Sequence, residues 1–197
     1  MKKHLLLLLL SCFIFNSAAQ GTDPLRTTDF EAQQIWVDSI ANGMSLDEKI
    51  GQLFMVQAYA NSDEKHQESV IEMISKYHVG GLIFMQGSPK KQASLTNKYQ
   101  ATAKVPLLIG FDGEWGLDMR LKNTYRFPWN MTLGAIRDNT LVKKFGQHLG
   151  QHAKRIGIHI NFAPVIDINV NPENPIIGNR SFGENNNSSS TFPVLDF

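Results

Sequence analysis

The stretch VPLLIGF occupies residues 105–111 and stops at Asp112. Its nearly unbroken apolar character is typical of a strand that is buried on both faces of a parallel sheet. Three further runs of this kind lie at residues 53–59, 79–85 and 158–166. Segments with helical spacing of apolar residues separate them, at residues 69–77, 90–104 and 139–156. Strands that alternate with helices predict right-handed crossovers and a parallel sheet.

Two α/β architectures fit this order of elements, a doubly wound sheet and a (β/α)8 barrel. The four expected strands are half the complement of a barrel, which takes roughly 250 residues. If the fold is a barrel, the chain therefore contains only about its first half. Two short helices are also predicted before the first strand. One spans residues 30–41 and ends at Asn42-Gly43, and the other begins at the capping box formed by Ser45 and Glu48.

Length and composition restrict the class of protein. The chain has 197 residues, enough for about one domain, and 42% hydrophobic with 19% charged residues predicts a globular chain. The formal net charge of +1 is far below what a protein needs to neutralise many phosphates, so we expect no nucleic-acid partner. The single cysteine, Cys12, excludes disulfides and thiolate metal sites in a chain that has lost its first residues.

The N-terminus has the order of a secretory signal peptide. Lys2 and Lys3 precede an apolar run at residues 5–15, and small residues lead up to Gln20. We expect cleavage there and an exported protein, periplasmic or secreted. A membrane-spanning helix needs roughly 20 apolar residues, so this run is too short and no membrane span is expected after cleavage. Lipid attachment at Cys12 is an alternative that the sequence leaves open.

Polar residues are concentrated directly after the strand at residues 105–111, where the segment DGEWGLDMR follows. Active sites of parallel α/β folds lie beyond the carboxyl ends of the strands. Asp112 is suited to accept hydrogen bonds from vicinal hydroxyls, and Arg120 and Arg180 to donate to substrate oxygens or to orient a carboxylate. The alternative is that these residues form structural Asp–Arg pairs which tie loops to the rim of the sheet.

Other residues near the strand ends are predicted to support this site. Trp115 offers a flat apolar face of the kind that packs on a sugar ring, and Glu114 and Asp118 are expected to support rather than to react. Asp167 follows the strand at residues 158–166, where both a site role and a role in forming the turn are open.

The histidines give no sign of a metal centre. His148 and His152 are spaced i, i+4, but the Glu of an H-E-x-x-H motif and a third ligand are missing, so we expect no metal site. We expect these two histidines to cap the packed edge of their helix. His159 and Asn161 alternate with apolar residues and are predicted to form a satisfied polar network in the core.

Taken together, these segments resemble glycoside hydrolase family 3, in particular the N-terminal barrel of its bacterial β-N-acetylhexosaminidase branch. The matching segments are EKIGQLF at 48–54, VGGLI at 79–83, PLLIGFD at 106–112, FP at 127–128, GI at 157–158, NFAPVID at 161–167 and RSFG at 180–183. The resemblance implies a (β/α)8 TIM-barrel-like glycosidase domain of which about the first half is present. With the signal-peptide pattern and the Asn- and Ser-rich run at residues 185–190, it divides the chain into a signal peptide at 1–20, a leader and first helix at 21–44, the partial barrel at 45–184 and a low-complexity tail at 185–197.

The resemblance also implies a function and site residues. Asp112, Arg120 and Arg180 match residues that hold the N-acetylglucosamine unit beside the scissile bond. The implied reaction is hydrolysis of O-glycosyl bonds that releases terminal β-linked N-acetylglucosamine by a retaining mechanism, without metal or organic cofactor. The implied substrates are N-acetylglucosamine-containing oligosaccharides or peptidoglycan fragments. The sequence departs from the branch at Gly113, where His is frequent, and at Trp115, where Gly is usual.

No catalytic residue is assigned within the chain. The branch carries a Lys-His-x-Pro-Gly-His-Gly segment with the acid/base histidine and a later nucleophilic Asp, and neither has a match in the 197 residues. We therefore expect both beyond residue 197 and expect the chain to be inactive alone. Two alternatives stay open, a β-glucosidase of the same family and a secreted carbohydrate-binding remnant without activity.

Overall fold

A computed structural model describes residues 27–184 of the protein. The predicted signal peptide, Cys12 and the low-complexity tail lie outside the described residues. The chain separates into two compact units, with the boundary between Met44 and Ser45. In the described part, no helix combines the length and the apolar character needed to cross a membrane.

The first unit contains helix α1, Phe30–Ala41, with the bounds that the sequence predicts. Its N-cap is Asp29, whose carboxylate accepts a hydrogen bond from the backbone N–H of Ala32 at 3.0 Å. No residue of α1 is buried, and the side chain of Trp36 is 63% exposed.

The second unit holds the sheet and the helices between its strands. Its elements in chain order are α2 (Leu46–Gly51), β1 (Met55–Tyr59), α3 (Glu64–Tyr77), β2 (Gly81–Met85), α4 (Pro89–Thr102), β3 (Leu108–Phe111), a 3-10 helix (Leu117–Met119), α5 (Asn130–Gly134), α6 (Asn139–Arg155), β4 (Ile160–Asn161) and a second 3-10 helix (Gly178–Arg180). The four strands form one parallel sheet in the order β1-β2-β3-β4. The predicted parallel α/β fold is therefore confirmed.

Local capping interactions set where two helices begin. The predicted capping box starts α2: Ser45 Oγ accepts from the Glu48 N–H, and Glu48 Oε2 accepts from the Ser45 N–H at 2.7 Å. Helix α3 begins at Glu64, five residues before the predicted start, because the Asp63 carboxylate caps the His66 N–H at 3.0 Å. The spacing of apolar residues could not predict the first turn of α3, because the residues of that turn are polar.

Strand β4 is much shorter than the predicted strand at residues 158–166. Regular pairing covers only Ile160–Asn161, with single backbone hydrogen bonds from the His159 N–H to Ile109 O and from the Phe162 N–H to Phe111 O, each at 2.8 Å. Pro164 has no N–H to donate to a neighbouring strand, and this limits how far a strand can continue. The predicted length of this strand was wrong.

The core lies between the sheet and its helices. Leu82, Phe84, Ile109 and Phe111 are 0–1% exposed, and Phe84 stacks on Tyr99 of α4 with a centroid distance of 6.3 Å. The alternation of side chains places Leu108 and Gly110 on the opposite face. Asp112 follows Phe111, the last residue of β3, and therefore lies at the carboxyl edge of the sheet.

Candidate functional site

Asp112 is the first residue after β3 and forms an ion pair with Arg120. The distance from Arg120 Nη2 to Asp112 Oδ2 is 2.5 Å, and both side chains are between a fifth and a quarter exposed. The Nε of Arg120 is buried and has no partner among the described residues. This pair is the Asp–Arg contact of the structural alternative, and both side chains keep an accessible part, so their role in binding a substrate stays a prediction.

The loop between Asp112 and Arg120 is held by hydrogen bonds to segments on both sides of β3. Gly116 has φ 90°, in a region that suits glycine, and the 3-10 helix follows it directly. The buried Leu121 forms a parallel bridge with Gly87 after β2, and the Lys122 N–H donates to Gly87 O at 2.9 Å. The Gly113 N–H donates to Asn161 Oδ1 of β4 at 2.9 Å. The loop that carries Asp112 is therefore fastened to β2 and β4.

Glu114 and Arg180 form a second and more extensive ion pair. Arg180 Nε donates to both carboxylate oxygens at 3.0 and 3.1 Å, and its Nη2 donates to Oε1 at 2.8 Å. The Glu114 side chain is 3% exposed, whereas that of Arg180 is 34% exposed. The hydrogen bonds to Glu114 raise the pKa of Arg180 above its ordinary value, and the negative charges of Asp167 and Asp112 add to this effect.

The backbone around Arg180 is fixed by buried polar residues. Asn130, 2% exposed, donates from Nδ2 to Arg180 O at 2.8 Å. Ser181, fully buried, donates from Oγ to Asp167 O at 2.7 Å. Gly134 lies so close to Phe182 that a Cβ would be 1.8 Å from the Phe182 carbonyl oxygen. These contacts connect α5, the segment after β4 and the second 3-10 helix around one arginine.

The aromatic residue of the segment after β3 packs on a second tryptophan. Trp115 and Trp129 have ring centroids 4.3 Å apart at an interplanar angle of 52°. The guanidinium of Arg126 lies over both rings, and Asp118 Oδ2 is 3.7 Å from Arg126 Nη1.

The structure thus places the predicted site residues at one edge of the sheet. Asp112 pairs with Arg120, and Glu114 pairs with Arg180. Asp167 is exposed and contributes its backbone carbonyl to Ser181. Its carboxylate lies close enough to raise the pKa of Arg180.

Several residues of this region were missed by sequence reasoning, namely Arg126, Trp129, Asn130 and Ser181. Ser181 belongs to the RSFG segment and could have been selected on that basis. Asn130 lies just after the Phe127-Pro128 segment, but no local pattern indicates that its amide turns toward Arg180.

His148, His152 and His159 differ in their exposure and in their contacts. His148 is exposed, and the His152 ring lies 6.0 Å from that of Phe127. His159 Nδ1 accepts a hydrogen bond from the Ile109 N–H at 2.9 Å, but its side chain is exposed, so the expectation of a core histidine was wrong. Within residues 27–184, no group of three or more His, Cys, Asp or Glu residues is arranged to hold a metal ion.

The arrangement suits recognition of a polyhydroxylated ligand. Asp112 offers carboxylate oxygens that accept from hydroxyl groups, and the two arginines offer fixed N–H donors in the same region. Glu114 neutralises Arg180 and orients its guanidinium plane. These groups can bind and orient sugar oxygens.

Comparisons with known proteins show the family of the chain. Residues 45–194 match the sequence model described as glycosyl hydrolase family 3 N terminal domain. A "Beta-N-acetylglucosaminidase/beta-glucosidase" of Cellulomonas fimi is 32% identical over 148 residues, which are 75% of this chain and 26% of the relative. A "Beta-hexosaminidase A" of Pseudoalteromonas piscicida is 36% identical over 127 residues, 58% of this chain and 21% of the relative.

A solved structure gives the same result for the fold. The family 3 β-N-acetylglucosaminidase from Paenibacillus sp. superposes with a TM-score of 0.66 at 35% identity, over 75% of this chain and 29% of that one. The chain thus spans about a quarter of the length of these relatives. Its α/β sheet corresponds to part of a TIM-barrel-like domain. With a family match over residues 45–194, the chain belongs to glycosyl hydrolase family 3, in which it represents the N-terminal domain.

Proposed function

We propose that the protein is part of a glycosidase that hydrolyses O-glycosyl bonds and releases terminal β-linked N-acetylglucosamine with retention of configuration. The observation that carries the proposal is the placement of the Asp112–Arg120 and Glu114–Arg180 pairs together beyond β3. The names of the relatives from Cellulomonas, Pseudoalteromonas and Paenibacillus support the substrate class.

The proposed role of this chain is recognition of the sugar next to the scissile bond. Asp112 accepts hydrogen bonds from sugar hydroxyls, and Arg120 and Arg180 donate to sugar oxygens. A retaining hydrolase also needs a nucleophile and a proton donor on the leaving oxygen. We assign neither to a residue of this chain, because the segments that the resemblance implies for them have no match in it.

The test is sugar binding measured by ligand-observed NMR and isothermal titration with the 197-residue chain. We expect saturable binding of N-acetylglucosamine and a loss of at least about tenfold in affinity for Asp112→Asn, since a carboxylate hydrogen bond to a ligand hydroxyl is worth about 1.5–3 kcal/mol. Asp38→Asn, which changes an exposed carboxylate in the first unit, is the matched control. Equal affinity of wild type and Asp112→Asn would overturn the assignment.

Hydrolysis of an aryl β-N-acetylglucosaminide is the second readout. Turnover that Asp112→Ala leaves unchanged would contradict the site. Saturable binding without turnover is the result that we expect for the 197-residue chain alone, because neither the nucleophile nor the proton donor is assigned to it.

A second candidate activity is that of a β-glucosidase. The Cellulomonas relative carries both activities in its name, and a "Periplasmic beta-glucosidase" of Salmonella typhimurium is 26% identical over 154 residues. Tighter binding of glucose than of N-acetylglucosamine would favour this candidate, because the acetamido group would then make no favourable contact.

We further propose that the protein is exported, periplasmic or secreted, and acts on N-acetylglucosamine-containing oligosaccharides or peptidoglycan fragments. The proposal rests on the signal-peptide pattern of residues 1–20. N-terminal sequencing of the protein from fractionated cells tests it. A mature chain that starts after residue 20 in the extracytoplasmic fraction would support export, and a chain that begins at Met1 in the cytoplasm would contradict it.

A further inference from the structure

His159 directly precedes β4 and binds the backbone of the neighbouring strand β3 at two points. Its N–H donates to Ile109 O at 2.8 Å, and its Nδ1 accepts from the Ile109 N–H at 2.9 Å. Ile109 is fully buried, and its strand lies between β2 and β4. We term this pair of hydrogen bonds the histidine clamp.

The clamp takes the place of backbone pairing at the start of β4. Regular pairing with β3 begins only at Ile160, and Gly157 has φ 77°, which lies outside the strand region. The imidazole nitrogen of His159 therefore accepts from Ile109 where a backbone carbonyl accepts in a continuous parallel ladder. Without this acceptor, a buried backbone N–H would have no hydrogen bond, which is costly.

The hydrogen bond defines the protonation state of the ring. A neutral imidazole has one N–H and one acceptor nitrogen, whereas an imidazolium ion has two N–H groups and no acceptor. Because Nδ1 of His159 accepts, the neutral ring carries its proton on Nε2. The side chain is exposed, so the ring can exchange protons with solvent, and histidine side chains change charge between about pH 5 and 8. A second proton on Nδ1 would face the Ile109 N–H and break the bond.

The surroundings of His159 contain no negative charge that would hold the protonated ring in place. The ring lines a hollow of about 570 Å³ beside α6, in which Lys154 is the charged residue and the other lining residues are uncharged. Strand β3, Leu108–Phe111, has no titratable side chain. Among residues 27–184, His159 forms no ion pair with a carboxylate. A positive charge on the ring would therefore be opposed by Lys154 and compensated by no carboxylate.

We propose that the histidine clamp is an acid-sensitive switch, which holds β4 on β3 while His159 is neutral and releases the start of β4 when the ring is protonated. The closed clamp binds one proton fewer than the open one, so the open form gains population as the pH falls. The release reaches the proposed site, because Asn161 of β4 accepts from the Gly113 N–H in the loop that carries Asp112.

The first test is NMR of the imidazole nitrogens in the unmodified 197-residue chain. At about pH 7.5 we expect a neutral His159 ring protonated on Nε2, and at about pH 5 a ring protonated on both nitrogens. A neutral ring protonated on Nδ1 at about pH 7.5 would overturn the proposal, and so would a ring that is still neutral at about pH 5. This measurement needs no variant and no ligand.

The second test is amide hydrogen exchange, expressed as protection relative to the unfolded chain at the same pH. His159→Asn places an amide oxygen near the position of Nδ1 and does not titrate, whereas His159→Leu removes the acceptor. In wild type, protection of the Ile109 N–H should fall about fivefold from about pH 7.5 to about pH 5, the factor that corresponds to one hydrogen bond. His159→Asn should stay protected at both pH values, and His159→Leu should be unprotected at both. The Gly113 N–H should follow the same pattern.

Two controls isolate the effect of His159. His148→Asn, at an exposed position of α6, should keep the wild-type dependence on pH. The Tyr59 N–H, which donates to His66 Nε2 at 3.1 Å, reports on a second histidine and should behave alike in wild type and in the His159 variants.

Three results would contradict the switch. Equal dependence on pH in wild type and His159→Asn would overturn it, as would full protection of Ile109 in His159→Leu. A loss of protection that is equally large at every strand amide would show global unfolding in place of a local release. A change confined to Ile109 would overturn the connection to the loop of Asp112. Because no sugar is used, these outcomes are independent of the proposed function.

Discussion

The carboxylate of Glu114 accepts three hydrogen bonds from the guanidinium of Arg180, which lies 66 residues further along the chain. Because Glu114 is buried and Arg180 is partly exposed, the pair fixes the arginine while leaving part of it accessible. Neither residue alone would hold this geometry, since an unpaired carboxylate at this depth would be strongly destabilising.

Glu114→Gln should lower the free energy of unfolding by about 2 kcal/mol, because it removes the negative charge opposite a partly buried guanidinium. Urea denaturation followed by circular dichroism measures this change. The control is Glu68→Gln at an exposed position of α3, which should differ from wild type by less than about 0.5 kcal/mol. Equal stability of the Glu114 and Glu68 variants would show that the pair contributes no net stability.

Gly134→Ala should be destabilising by about 2–3 kcal/mol, since its Cβ would meet the backbone carbonyl of Phe182 at 1.8 Å and one of the two segments must move. The same shift should weaken N-acetylglucosamine binding, because Phe182 is two residues from Arg180. Gly43→Ala is a suitable comparison, as its nearest contact would be an ordinary 3.6 Å. Thermal unfolding and titration of both variants check the prediction, which fails if Gly134→Ala behaves like Gly43→Ala.

Glu48 should make stability depend on pH in the acidic range. The hydrogen bond from Lys104, followed by that from the Ser45 N–H, lowers the pKa of Glu48 from 4.5 to about 2. Because the pKa is lower in the folded than in the unfolded chain, the carboxylate stabilises the fold above pH 4.5, and this contribution is lost as the pH falls toward 2.

Unfolding of wild type and Glu48→Gln as a function of pH measures this contribution. The difference in stability should be largest above about pH 5 and should shrink between about pH 4.5 and 2. A difference that stays constant over this interval would assign the effect of the substitution to lost capping alone. Lys104→Met should likewise reduce the loss of stability between about pH 4.5 and 2, since it removes the principal hydrogen-bond partner of Glu48.

Tyr99→Phe should raise the free energy of unfolding by about 1 kcal/mol, because the buried Tyr99 hydroxyl has no hydrogen-bond partner among residues 27–184. The ring would keep its packing on Phe84. Denaturant unfolding tests the sign, and a loss of stability would mean that the hydroxyl is satisfied in solution. Tyr77→Phe, at a half-exposed ring, is the control and should be close to neutral.

Much of the fold could be predicted from the sequence, because its signals are local. The capping box at Ser45 and the apolar strands gave the elements and their order, and helix α6 begins where its apolar spacing begins. The extent of β4 could not be predicted, since apolar character at residues 158–166 does not reveal whether a neighbouring strand pairs there. Helix α5, with only five residues, is too short for a periodic pattern.

The site was predictable to the extent that its residues follow strand ends. Asp112 and Arg120 lie eight residues apart and could be selected together. The partners of Arg180 could not, because Glu114 and Asn130 reach it through contacts across 66 and 50 residues of sequence. Trp129 and Arg126 join Trp115 only through the path of the loop after β3. The roles of Asp112, Arg120 and Arg180 in binding sugar stay predictions.

The two ion pairs also differ in when they can form during synthesis. Asp112 and Arg120 leave the ribosome almost together. In contrast, 66 further residues must be synthesised after Glu114 before its partner Arg180 is available. At about 5–20 residues per second this interval lasts roughly 3 to 13 seconds. A nascent chain that already contains β3 therefore carries the Glu114 carboxylate without its arginine until residue 180 has been made.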